Sequence, residues 1–222
     1  MVKSIYTSLK THLLSSTPLR LMRDEKGIAA IEFAFIAPIM IMMYFGMAEI
    51  AAAISVDRQI SHSANVAGDL ATQSETISAT EMTEIMTATM MVTGIGEGIK
   101  TDGGKKKESI TIEIASYARA DDDSIIEKGK AVLKGLDGID FPDFDADSLD
   151  ERILSSSSGV VVARVNYVYE PLDLRYMRTD FNITEVFTLK PRKSINVEIG
   201  DSSGPSEYSC DFSGPNGLPS CS

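Results

Sequence analysis

The sequence predicts an α+β chain, in which a long N-terminal transmembrane and stalk helix leads into a small domain with an antiparallel sheet packed on helices. Three observations carry this expectation. An apolar run near the N-terminus is apolar on every side rather than along one stripe. A capping signal then opens a second helix with methionines four residues apart. Three segments rich in β-branched and aromatic residues follow.

The apolar run sets the first element. Phe33 to Ala48 is 16 consecutive uncharged residues, and the low-charge region Ile28 to Val56 covers 29 positions interrupted only by Glu32 and Glu49. At the helical rise the two spans measure about 24 Å and about 43 Å, which brackets a hydrocarbon core of roughly 30 Å. Residues 28–56 are therefore read as a transmembrane helix whose first partner is the lipid bilayer. Residues 1–27 form a basic leader, with Lys3, Lys10, Arg20, Arg23 and Lys26 against Asp24 and Glu25, a net of +3. The rest of the chain holds 16 basic and 30 acidic side chains, a net of −14. The positive-inside rule then keeps the leader in the cytoplasm and exports the remainder. An exported domain this acidic argues against nucleic acid as a partner. Ala51-Ala52-Ala53 offers a signal-peptide cleavage site, but the apolar region and its leader are both longer than a signal peptide uses.

Pro38 and Gly46 interrupt the span. Proline removes a backbone donor and glycine permits close helix approach, and membrane helices tolerate both. Beyond the span, Ile54, Ile60, Ala64, Ala67, Leu70 and Ala71 recur at three- and four-residue steps against polar Asp57 and His62, as in an emerging stalk. Ser78-Ala79-Thr80-Glu81 is a capping box, and Met82, Met86 and Met90 stack behind it as core filler in a helix that should end near Gly94. Residues 57–93 are thus stalk and second helix.

Residues 94–200 are expected to form the head. Gly94-x-Gly96-x-Gly98 lacks the strand before and helix after that a phosphate loop requires, and Asp102 to Lys107 reads as a solvated turn. Strands are predicted over Ser109–Tyr117, Val160–Tyr169 and Phe181–Leu189, with a short helix around Ile125–Leu133 and an acidic loop from Asp137 to Glu151 between the first two. Asp143-Phe144-Asp145-Ala146-Asp147 has the alternating carboxylates of a calcium loop. Ser148 and Leu154, however, stand where the turn glycine and bidentate glutamate belong, so a solvated acidic loop is preferred and no metal is assigned.

Residues 201–222 are a Gly-, Ser- and Pro-rich tail that carries both cysteines, Cys210 and Cys221. In an exported domain, two cysteines bracketing a short loop suggest one disulfide. The only histidines are His12 and His62, the first in the leader. Nucleophile–histidine catalysis and multi-histidine metal sites have almost no material, and neither enzyme activity nor a cofactor is expected.

Glu32 remains to be explained. A charged group at a helix centre costs about 2.5 to 3.5 kcal/mol on insertion scales, and less at the membrane edge. One reading is an interfacial carboxylate favoured by the helix dipole. The other turns on Gly27: a cut after it would give Ile28 a new ammonium, a counter-charge for Glu32 in the same chain or a neighbour. Such a pair at the tip of an apolar helix sets a register for stacking subunits.

The run from Lys26 and Gly27 through Ile28-Ala29-Ala30-Ile31-Glu32-Phe33-Ala34-Phe35-Ile36-Ala37-Pro38, with Phe45-Gly46 and Glu49 beyond, resembles the TadE-like family of minor pilins (pseudopilins) of the tight-adherence, or Flp-type IV, pilus system. This motif covers about a tenth of the chain. Ile112-Glu113-Ile114, Val165 to Tyr169 and Thr188 to Arg192 also look family-like. The resemblance implies that Gly27 precedes the cut, Ile28 is the mature N-terminus and Glu32, followed by Phe33, is the assembly carboxylate. It further implies a bacterial inner-membrane protein with a periplasmic head, and as partners a prepilin peptidase, a major pilin, a sibling pseudopilin and an inner-membrane assembly platform. The alternative is an uncleaved single-pass envelope protein whose exported domain binds a ligand or partner, with Glu32 merely interfacial.

Overall fold

The computed structural model describes residues 27–94, 100–102, 105–107, 110–135, 138–149, 152–155, 157–169, 171, 181–201, 203–214 and 217–222. The leader up to Lys26, Gly96 and Gly98, Ser109, and the ends of the acidic loop at Asp137, Asp150 and Glu151 lie outside them. The chain divides into two compact units that meet between Ile50 and Ala51.

Helix α1 runs without a break over Ile28–Ala71, about 66 Å at the helical rise. In its second half the expected stripe is present: Ile60, Ala64, Ala67 and Ala71 are fully buried. A two-residue strand, β1 (Thr76–Ile77), precedes helix α2 (Ala79–Thr93). The capping box that opens α2 is complete, since the Ser78 N–H donates to Glu81 Oε2 at 3.0 Å while the Glu81 N–H donates to Ser78 Oγ at 3.4 Å. Two of the four orphan donors at the helix start are satisfied in this way. At the other end Gly94 takes φ +64°, the left-handed cap that only glycine adopts without strain. Met82, Met86 and Met90 are buried in the core.

Strands β2 (Lys100–Asp102) and β3 (Lys105–Lys107) pair antiparallel, so the lysine run expected as a solvated turn is one arm of a short hairpin. The main sheet follows, built from β4 (Ile110–Arg119), β5 (Ile125–Lys134), β6 (Gly159–Tyr169) and β7 (Phe181–Leu189). After them come β8 (Glu198–Asp201), β9 (Gly204–Pro205), β10 (Glu207–Asp211) and β11 (Ser220–Cys221). The six-stranded sheet has the order β11-β10-β5-β4-β6-β7, and a three-stranded one has the order β1-β8-β9. Both are mixed rather than purely antiparallel, because β10 runs parallel to β5 and β8 parallel to β1.

Two expectations need correcting. The short helix placed at Ile125–Leu133 is strand β5, in register with β4 from Ile125 opposite Arg119 to Lys134 opposite Thr111. Gly129 decides it: with φ +103°, a Cβ there would sit 2.1 Å from the Ile199 carbonyl oxygen, so the backbone passes too close for any side chain. The segment 201–222, expected as a tail beyond the last strand, instead supplies strands that extend the sheet through β10 and β11.

The central strands are covered on both faces. Ile110, Ile112 and Ile114 of β4 with Val161, Ala163 and Val165 of β6 meet α1 and α2 in the larger core. Ala115, Tyr117, Val160 and Val162 on the other face meet Leu154, Phe144 and Leu149 in a smaller one. The acidic loop is thus the cover of the second face, with Asp140, Asp143, Asp145 and Asp147 turned to solvent.

Candidate functional site

The N-terminal half of α1 is built unlike any other part of the molecule. Ile28 opens the helix directly after Gly27. From there to Gln59 no residue is fully buried, and Phe35, Met42 and Tyr44 leave more than 70% of their surface uncovered. An 18-residue window of this helix has mean hydropathy 2.1 and none of it is buried. So large a continuous apolar surface is not stable against water. The helix is long and apolar enough to cross a membrane, which fits a single-pass anchor.

Glu32 and Phe33 are both exposed on this helix. Among the described residues Glu32 meets no cation. Its position, four residues after Ile28, puts both on the same helical face about 6 Å apart along the axis. Pro38 is accommodated without ending the helix. A Cβ at Gly46 would touch nothing within 4 Å, so that surface stands open to a neighbouring helix.

The sequence did not single out the most constrained polar group of the head. Glu113 of β4 and Arg164 of β6 lie directly opposite each other on adjacent strands, and both are buried. Arg164 Nε donates to Glu113 Oε1 at 2.9 Å, Nη2 donates to the same oxygen, and Nη1 donates to the Pro142 carbonyl at 2.8 Å. The guanidinium also lies 4.7 Å from the centre of the Phe141 ring and 5.5 Å from that of Phe144, both within cation–π range. One side chain therefore neutralises a buried carboxylate and fastens the acidic loop over the sheet. The signal was available: a lone charge flanked by apolar residues in each of two strands, Ile112-Glu113-Ile114 and Ala163-Arg164-Val165. Beside this pair burial pushes the Tyr117 phenol up to about 12, helped by the charges of Glu127 and Glu113 and opposed by Arg164.

Cys210 and Cys221 form a disulfide with their Cα atoms 4.0 Å apart. They are register partners on β10 and β11, and the Cys221 N–H donates to Thr83 Oγ1 of α2 at 3.0 Å. The bridge thus fastens the C-terminal strand to both the sheet and a helix. A cleft at the start of α2 is lined by Thr76, Ser78, Glu81, Glu198, Gly200, Asp201 and Gly204. Glu81 is committed to the cap, and backbone N–H donation from Ser203 holds the Asp201 carboxyl below its usual range. No set of three His, Cys, Asp or Glu side chains able to hold a metal ion occurs among the described residues.

Residues 27–69, about a fifth of the chain, match the family model described as TadE-like protein. No curated protein and no solved structure matches the chain. The matched stretch contains Gly27, Ile28, Glu32 and Phe33 and ends at Asp69, in the half of α1 that carries the buried stripe. Over the helix that carries the candidate segment, the chain is similar to the TadE-like family.

Proposed function

We propose that the protein is a minor pilin (pseudopilin) of a tight-adherence pilus, a non-enzymatic subunit needed for fibre assembly in surface attachment. In this reading a prepilin peptidase cuts after Gly27 at the cytoplasmic face of the inner membrane. The observation that carries the reading is a helix that starts at Ile28 and remains apolar and uncovered on all sides for its first half, with Glu32 as its lone early charge. An ammonium at Ile28 would stand on the same face as Glu32 and offset its charge within the chain or across to a neighbouring subunit. Lipid covers the helix before assembly, and the major pilin and a sibling pseudopilin cover it afterwards, delivered by the assembly platform. The chain beyond the span, residues 57–222, then lies in the periplasm, where an oxidising environment maintains the Cys210–Cys221 bridge.

N-terminal sequencing of protein extracted from membranes tests this directly. A start at Ile28 is expected, and Gly27→Leu should accumulate as uncut precursor in cells without pili. Mature protein beginning at Met1, with piliation indifferent to Gly27→Leu, would leave a plain single-pass anchor. Glu32→Ala should permit the cut but block incorporation, which separates the processing step from the assembly step.

A further inference from the structure

Two surface features of the head have no role in the reading above. The first is the loop that follows β7, in which Lys190, Arg192 and Lys193 precede Ile195. It is held at both ends: the Arg192 N–H donates to the Thr72 carbonyl at 3.0 Å, its guanidinium pairs with Asp69, and the Ile195 carbonyl accepts the Gly159 N–H at 2.8 Å. In this fixed loop Lys193 is exposed and Ile195 leaves 71% of its surface uncovered. Three of the four residues from Lys190 to Lys193 are cations, in a chain of net charge −11.

The second feature is the outer side of the acidic loop. Lys134 pairs with Asp140 at 2.5 Å. Asp143, Asp145 and Asp147 are exposed at alternate positions and meet no cation among the described residues. Ile139 is exposed beside them. This strip is fixed as well, since Arg164 holds the Pro142 carbonyl and lies against Phe141 and Phe144.

We propose that loop 190–196 of one copy docks on the acidic strip 139–147 of a second copy, with Lys193 among the aspartates and Ile195 against Ile139. The charges are complementary, each surface carries one exposed isoleucine, and both are held in shape before contact, which lowers the ordering cost of association. The two surfaces differ, so the contact is heterologous and each copy keeps one of each surface for a further neighbour. Rows of heads follow from that geometry. The inference does not rest on processing after Gly27, because an uncleaved anchored protein carries the same two surfaces.

Zero-length carbodiimide coupling of the full-length protein in neutral-lipid nanodiscs holding several copies, prepared from a mixture of unlabelled and ¹⁵N-labelled chains, tests the contact. Peptide mass spectrometry is expected to find mixed-isotope links from Lys193 to Asp143, Asp145 or Asp147, lowered roughly tenfold by Ile195→Asp, which keeps the coupling amine of Lys193. Mixing the Lys193→Glu chain with a chain carrying Asp143→Lys, Asp145→Lys and Asp147→Lys should restore links between the same positions with the charges exchanged. Links found only within single-isotope chains, or a yield indifferent to Ile195→Asp, would overturn the proposal. Lys193-dependent binding to phosphatidylglycerol vesicles without any mixed link would also overturn it, in favour of a lipid headgroup as occupant.

Discussion

Residues 28–50 and 51–71 belong to one uninterrupted helix, yet their side chains meet opposite surroundings. In the first half large apolar residues face every direction and none is buried. In the second half Ile60, Ala64, Ala67 and Ala71 form one narrow stripe against the sheet, and small residues such as Ser63 and Gly68 let the sheet approach. The more hydrophobic half is the more exposed one. Apolar content alone therefore says nothing about burial inside the protein: a stripe marks a surface that finds its partner in its own chain, while all-round apolarity marks one that needs lipid or other helices.

Truncating one isoleucine in each half should give the largest contrast. Ile60→Ala removes a fully buried side chain from the core shared by α1, α2 and the sheet. It should cost the head about 2 to 5 kcal/mol in denaturant titrations of the detergent-solubilised chain. Ile39→Ala, on the exposed half, should shift the same transition by less than about 0.5 kcal/mol. Equal losses would mean that residues 28–50 are packed on the head after all.

The two helix glycines sharpen the comparison with a smaller effect. A Cβ at Gly68 would lie 2.4 Å from Leu189 Cδ1 and 3.4 Å from Ala163 Cβ, while at Gly46 it would touch nothing within 4 Å. Gly68→Val should cost about 1 to 3 kcal/mol through overpacking. Gly46→Val should leave head stability unchanged and act, if anywhere, on helix–helix association, read by pilus yield.

The same contrast explains which parts of the molecule were legible in its sequence. The long helix, the capping box at Ser78 and the strands at Gly159–Tyr169 and Phe181–Leu189 are specified by local pattern, and they fell within a residue or two of expectation. Strand β5 was misread because Ile125-Ile126 and Ala131-Val132-Leu133 look helical in spacing. The alternation that counts, Gly129, Ala131 and Leu133 inward against Lys130, Val132 and Lys134, is only six residues long. The C-terminal strands were missed for a different reason: β10 pairs with β5 across more than 70 residues, and Ser, Gly and Pro composition announces turns rather than strands. The Glu113–Arg164 pair likewise exists only once two distant strands are in register. At the candidate site, Gly27, Ile28, Glu32 and Phe33 are proposed from motif spacing, because the cut and counter-charge that the proposal invokes would lie within one short stretch of sequence.

Within the head, the junction beyond α1 depends on a local device of moderate strength. Ser78→Ala removes the acceptor for the Glu81 N–H and with it half of the capping box. A loss of about 1 kcal/mol is expected in the same titrations, with the helix content of α1 unchanged. Loss of α1 helicity would show that the two helices fold as a single unit.

The last effect appears only at high pH and is confined to the second unit. Tyr117 is buried against Phe144, and its phenol is raised from 10.0 to about 12, chiefly by desolvation. The folded state therefore keeps this proton to higher pH than the unfolded state does. A raised folded value contributes stability that is complete below the unfolded value near 10 and is lost as pH climbs through 12. Lys130, raised by its bond to Glu207, acts in the same direction. Tyr117→Phe removes the larger of these titrations. Wild type and variant should melt together at neutral pH, and between pH 10 and 12 the wild type should fall away first, leaving the variant with a flatter alkaline limb. Parallel alkaline limbs would place the Tyr117 hydroxyl in contact with water, and the acidic loop would then not seal the sheet face that Arg164 fastens it to.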